Sequence, residues 1–172
     1  MSVASALDDA WSKAQRAFAA GRINTERTLQ AHLFCSLQSQ LPAAVVLCEP
    51  QLNIDEYGLA VPDLVVLSGE ELVAFVELKF APHHFPVFEG DLAKLAQYHR
   101  CSSSFQISLD PASGKYSERK YSISPSCLFV FAAVGRHDAA AVDREHIRTR
   151  PEAQYLAQQF VLLSHPVGAD AA

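Results

Sequence analysis

VPDLVVLSGEELVAFVELKF, Val61 to Phe80, is an apolar run broken by a few charges, and its reading decides the fold. Two apolar segments flank SGEE, so the stretch reads as two strands of a hairpin. Side chains alternate across a strand, which puts Glu77 and Lys79 on one face and Leu78 on the other. With Gly69-Glu70-Glu71 as the loop, Ser68 faces Leu72, and the same register sets Asp63 opposite Glu77. Directly opposed residues hold their Cβ atoms about 5 Å apart, so the two carboxylates converge, with Lys79 diagonal to Asp63. A slip of one residue in the turn would separate them.

Outward from this hairpin the chain reads as alternating helices and strands. A first helix covers about Val3 to Ala20, with Leu7, Trp11, Ala14 and Phe18 on one face and Gly21 as its stop. A second follows an N-cap at Asn24 or Thr25, striped by Leu29, Leu33 and Leu37. AAVVLCEPQLNI reads as one strand, and DEYG as a turn. Beyond Phe80, APHHFPVFEG is a loop, and DLAKLAQYHR is a helix capped by Asp91, with Leu92, Leu95, Ala96 and His99 facing inward. FQISL and KYSERKYSI form a solvent-facing hairpin, and CLFVFAAVG a central strand covered on both faces. DAAAVDREHIRT and PEAQYLAQQF are helices, and FVLLS a short last strand. The order predicts an α/β fold with a mixed sheet flanked by helices.

The 172 residues suit a single domain, 1–172, with a substantial core. No apolar stretch reaches the ~18 residues of a membrane span, and the first residues lack a secretory layout. A cytoplasmic protein without membrane contact is the expectation. Cys35, Cys48, Cys101 and Cys127 form no CxxC pair, and three lie among apolar residues, so they read as reduced core thiols. A net charge of −5 argues against a surface that holds nucleic acid everywhere by charge, though not against a locally basic cleft.

Two carboxylates this close on apolar strands resist ionising together. A divalent cation removes the conflict, and Mg²⁺ needs only one or two carboxylates beside its waters and a phosphate. The competing reading is a partly buried ion pair between Asp63 and Lys79, with Glu77 at a frayed strand end. Ion-pair networks of that kind imitate active sites.

Pro62-Asp63, thirteen residues, then Glu77-Leu78-Lys79 resembles the PD-(D/E)XK nuclease superfamily, over roughly residues 24 to 134. That resemblance implies a restriction-endonuclease-like sheet with an αβββαβ core, here with an extra N-terminal helix. It also implies a Mg²⁺-dependent nuclease acting on DNA, with Mn²⁺ as a substitute ion. Asp63, Glu77 and the backbone carbonyl of Leu78 would hold the metal. Lys79 would orient the attacking water and steady charge on the scissile phosphate. Glu26 matches a further acid that many members carry on the helix before the meander. It shares a helical face with Leu29 and Leu33, although a first-turn acid also suits the helix dipole. Lys94, Gln97 and Tyr98 lie on the helix that follows the ExK strand, where polar side chains can meet the substrate. The spacing of Gln97 and Tyr98 departs from the RecB-like pattern, and a solvated helix face is the plainer reading of Tyr98. Arg136, past the central strand, is a further phosphate contact.

Other features carry less. His83 and His84 read as an exposed loop, since adjacent side chains diverge. Lys115, Arg119 and Lys120 alternate with Tyr116 and Tyr121, a pattern that stacks bases or is simply a charged strand face. There is no HExxH, Gly-rich phosphate loop or GxSxG. Nuclease domains of this size commonly pair as C2 homodimers. The rival class is the same fold kept as a nucleic-acid- or protein-binding module without turnover, favoured by the acidic balance and the lack of a long basic segment.

Overall fold

The computed structural model describes residues 1–55, 57–83, 87–100, 104–108, 119–136 and 146–167. Helix α1 (Val3–Ala19) is capped by the Ser2 hydroxyl, and α2 (Glu26–Gln40) opens on a capping box between Thr25 and Thr28. Reciprocal hydrogen bonds of this kind satisfy N–H groups that a helix start leaves open. Leu7, Trp11 and Ala14 on α1 and Leu29, Leu33 and Leu37 on α2 are buried, as their spacing predicts.

The segment expected as one strand from Ala43 breaks into β1 (Ala44–Cys48) and β2 (Leu52–Ile54). The break falls at Glu49-Pro50, where Glu49 takes a φ of 45°. Proline lacks a ladder donor, and a left-handed residue before it turns the chain. Next come β3 (Gly58–Ala60), β4 (Leu64–Ser68), β5 (Glu71–Phe80), α3 (Glu89–Arg100) and β6 (Ser104–Ile107). Strand β7 (Lys120–Arg136), α4 (Pro151–Leu156), a 3₁₀ turn (Ala157–Gln159) and β8 (Phe160–Val167) complete the chain. Strand β7 unites the outer part of the expected small hairpin with the expected central strand. It is antiparallel to β6 over 120–122 and parallel to β8 over 129–136. The hairpin tip, with Lys115 and Tyr116, lies outside the described residues, as do His84, Cys101 and most of DAAAVDREHIRT.

The strands form one mixed sheet in the order β1-β4-β5-β7-β6-β2-β3, with β8 also on β7. Within it α2, β1, β4, β5, α3 and β7 make a helix, an antiparallel meander, a helix and a parallel return strand. The β2–β3 hairpin is inserted after β1. From β1 to β2 the sheet path takes five steps, about 24 Å if flat. The chain joins Cys48 to Leu52 with a reach of at most about 14 Å. The sheet must therefore curl, and it does so over one of its faces. Helices α1 and α2 cover the other face through Val46, Val66, Val76 and Leu78. The curled face holds α3 and the aromatic residues Phe75, Phe105, Phe129 and Phe131.

The β4–β5 register reaches the expected alignment by a different route. The loop is the two residues Gly69 and Glu70, so Ser68 pairs with Glu71 and Leu67 with Leu72. Gly69, at φ 63°, suits a II′ turn. One extra residue at Val73 then shifts the ladder, giving Val66–Ala74, Val65–Phe75 and Leu64–Val76. Continuing that register sets Asp63 level with Glu77. The expected loop was one residue too long, and the bulge restores the offset.

Two other expectations change. Asp91 is not the cap of α3 but lies within its first turn, buried at 8% exposure. Cys35 and Cys48 are exposed, and only Cys127 of the described cysteines is a core thiol. Cys48 lies on an edge strand, and Cys35 faces away from the leucine stripe of α2, so neighbouring apolar residues did not imply burial. Among the described residues no helix is long and apolar enough to cross a membrane.

Phe75 joins the core to the far end of the sheet. Its ring stacks on Tyr98 at 4.9 Å and on Phe129 at 5.6 Å. Phe75→Ala is expected to cost about 3–5 kcal/mol, measured by urea unfolding. A cost below about 1 kcal/mol would show that this stack is not structural.

Candidate active site

Strand β5 is ten residues long and β4 five, so the end of β5 overhangs its partner. Backbone N–H groups facing the β4 side of that overhang need other acceptors. Carboxylates supply them. Asp63 Oδ2 accepts from Leu78 N–H at 2.6 Å, and Glu26 Oε2 accepts from Phe80 N–H at 3.0 Å. Glu26 is thus an exposed residue at the start of α2 that reaches the strand end rather than the core.

Asp63 is fixed at its backbone too. Its carbonyl accepts from Glu49 N–H at 3.0 Å and from Gln30 Nε2 at 2.8 Å. The break after β1 and the side of α2 therefore both hold this acid. Burial raises the Asp63 carboxyl above its ordinary range and the charge of Glu26 adds to this, against the hydrogen bond from Leu78, which favours the ionised form. A strand residue sends its N–H and C=O to the same side, so the Leu78 carbonyl also lies toward Asp63.

Glu77 projects from β5 on the face beneath α3, at 2% exposure. Burial, followed by the nearby charge of Asp63, pushes its carboxyl up to about 8, despite the opposing pull of Lys94. Its partners are both distant: Lys94 Nζ and the Tyr98 hydroxyl each stand at 3.5 Å. Helix α3 supplies both, since residues 91, 94 and 98 recur at helical spacing and share one side. Lys94 Nζ also meets Asp91 Oδ1 at 3.1 Å, and Asp91 Oδ2 meets Lys79 Nζ at 3.1 Å. Burial works against the Lys94 charge, but Glu77 and Asp91 outweigh it and hold its ammonium on above the ordinary range.

The structure thus brings Asp63, Glu77, Lys79, Lys94, Tyr98 and Glu26 to one end of β5. The alternative ion pair of Asp63 with Lys79 is not formed: Lys79 pairs with Asp91, and Glu77 is buried rather than frayed. Tyr98, read as a solvated helix residue, is buried at 1% exposure, because the aromatic run of β5 and β7 extends under α3. Burial and the charge of Glu77 hold its phenol proton on. Gln97 is exposed, about a quarter turn round the helix, and does not join the group. Arg136 ends β7 beyond Val134, which pairs with Phe80, but its side chain lies outside the described residues. His83 is exposed. Arg119 pairs with Glu70 and lies over the Tyr121 ring, and Lys120 pairs with Asp55, which gives these bases partners on the sheet. Asp91 and Gln30 were missed. The 91/94/98 spacing carried the signal for Asp91, which its reading as a cap hid.

Among the described residues no group of three or more His, Cys, Asp or Glu is arranged to hold a metal ion. The donor chemistry nevertheless suits a hard cation that keeps most of its waters. It comprises two carboxylates of raised proton affinity, one of them with only distant partners, and a neighbouring carbonyl. Four acids (Glu26, Asp63, Glu77, Asp91) meet two lysines here, so a fully ionised site lacks two positive charges, which one divalent ion would supply. Comparison with known family models, characterised proteins and solved structures gives no match.

The raised Glu77 carboxyl makes stability depend on pH. Between about 4.5 and 8 the folded chain holds a proton that the unfolded chain has released. The contribution is therefore fully present below pH 4.5 and is lost as pH rises through 8. Metal-free protein is expected to lose stability by a few kcal/mol across that window, with Asp63 acting in the same direction. Glu77→Gln should flatten the slope. Equilibrium unfolding at pH 5 and pH 8 checks this, and equal slopes in both proteins would refute the assignment.

Proposed function

We propose that the protein is a Mg²⁺-dependent nuclease that hydrolyses phosphodiester bonds of DNA, on a restriction-endonuclease-like fold. The observation that carries this reading is the bulge-corrected register that sets Asp63 level with Glu77, with Lys79 on the Glu77 face. The helix, meander, helix and parallel strand in the order β1-β4-β5-β7 support the fold assignment.

In this reading Asp63 and Glu77 hold the ion, with the Leu78 carbonyl as a third oxygen. When bound, Mg²⁺ offsets charge on phosphate oxygens and makes a water easier to deprotonate. The remaining work falls to the chain. Leu78 N–H keeps one Asp63 oxygen in place, and Gln30 and Glu49 keep the residue from turning. Lys79, two residues along the same face, presents its ammonium to the water or to a phosphate oxygen, where charge grows during displacement. Lys94 and Tyr98 each stand 3.5 Å from the Glu77 carboxylate and set its orientation. Low water access around Glu77 strengthens each of these interactions.

Purified protein with Mg²⁺ or Mn²⁺ is expected to cut DNA. Glu77→Ala and Lys79→Ala should each lower the rate by at least about a hundredfold, while circular dichroism and cooperative unfolding persist. Failure to cut any linear, branched or single-stranded DNA or RNA with either ion would overturn the proposal and favour a binding module.

A further inference from the structure

We propose that Asp91 positions Lys79 and Lys94 as a two-ammonium clamp for a phosphate oxyanion, formed before any metal is bound. The inference rests on the reading of this end of β5 as a phosphodiester site, and it adds a residue and a ligand class to it.

Three observations carry it. One Asp91 carboxylate reaches both lysines at equal length, Oδ2 to Lys79 and Oδ1 to Lys94, each at 3.1 Å. The two ammonium groups come from different elements, β5 and α3, so no local spacing would hold them together without this bridge. Like charges drawn this close repel, and the shared anion offsets the repulsion. The exposure is also graded: the Asp91 side chain is 11% exposed, against 30% for Lys79 and 45% for Lys94. An incoming anion meets ammonium groups first, with the carboxylate beneath them.

A structural ion pair needs only one cation for one acid. Here two cations share Asp91, while Lys94 also reaches Glu77 Oε2 at 3.5 Å. Two donors set by a shared anchor can grip two oxygens of the same phosphate, with the geometric selectivity that a single flexible lysine lacks. Asp91 touches no reacting atom in this arrangement, so its role is positioning.

The test needs no turnover. Metal-free protein in EDTA is titrated with inorganic phosphate and with a 5′-phosphorylated DNA dinucleotide. Side-chain ammonium NMR signals of Lys79 and Lys94 are followed. In the wild type both signals should shift together along one binding curve. Asp91→Asn should weaken binding by about tenfold or more, and Asp91→Glu should recover most of it. The opposite sign separates the alternative: an acid that only repels the ligand would, when neutralised, let phosphate bind more tightly.

Lys94→Ala alters an exposed side chain and guards against a folding defect at Asp91. With the clamp broken, the Lys79 signal should lose its response to phosphate. A Lys79 response that survives Lys94→Ala, tighter binding by Asp91→Asn, or no phosphate response in the wild type would each overturn the clamp. Cleavage by the metal-loaded wild type is a separate readout, so the nuclease reading stands or falls apart from this result.

Discussion

A carboxylate at 2% exposure, level with a second carboxylate and given only distant partners, is the constraint on which this structure turns. Burying an ionised Glu beside Tyr98 and level with Phe131 is costly. The chain answers the cost in part, by letting the group keep its proton to about pH 8 and by placing Lys94 within reach. Much of the surrounding architecture serves this arrangement. The overhang of β5 leaves backbone donors without strand partners, and Asp63 and Glu26 come to them from the loop before β4 and from α2.

The elements that hold Asp63 are separate in sequence and meet at one residue. Glu49, in its left-handed conformation after β1, and Gln30 on α2 both bind its carbonyl. Changes at either position would therefore reach the acid without touching its carboxylate. On the Glu77 face of β5, α3 brings one acid, one base and one phenol to Glu77 and Lys79 by simple helical repetition. Rigid elements, not loops, carry nearly all of these groups, which favours a preorganised site.

Much of this was legible in the sequence, for identifiable reasons. Helices α1 and α2 announced themselves through leucine spacing and caps, and the alternation in β5 placed Glu77 with Lys79. The level pairing of Asp63 and Glu77 was inferred through a three-residue loop. The chain uses a two-residue loop and a bulge at Val73, two departures that cancel. Local patterns cannot show such a bulge, because Val73 is as apolar as its neighbours. The break at Glu49-Pro50 was visible as a proline, but its consequence was not, since only the curled sheet explains why β1 and β2 part. Tyr98 was misread because its burial against Phe75 is a tertiary fact, and Asp91 because its contact with Lys79 is, although its pairing with Lys94 is local.

The central claim is that Asp63 and Glu77 together hold one divalent ion. Paramagnetic broadening of backbone amide signals by substoichiometric Mn²⁺ tests it most directly. The amides of Asp63, Glu77 and Leu78 should broaden first, at one ion per chain, with Mg²⁺ in excess reversing the effect and Asp63→Asn abolishing it. Broadening that is spread over surface acids such as Asp8 and Asp9, or that survives Asp63→Asn unchanged, would contradict the claim and leave these groups as a buried ion-pair network.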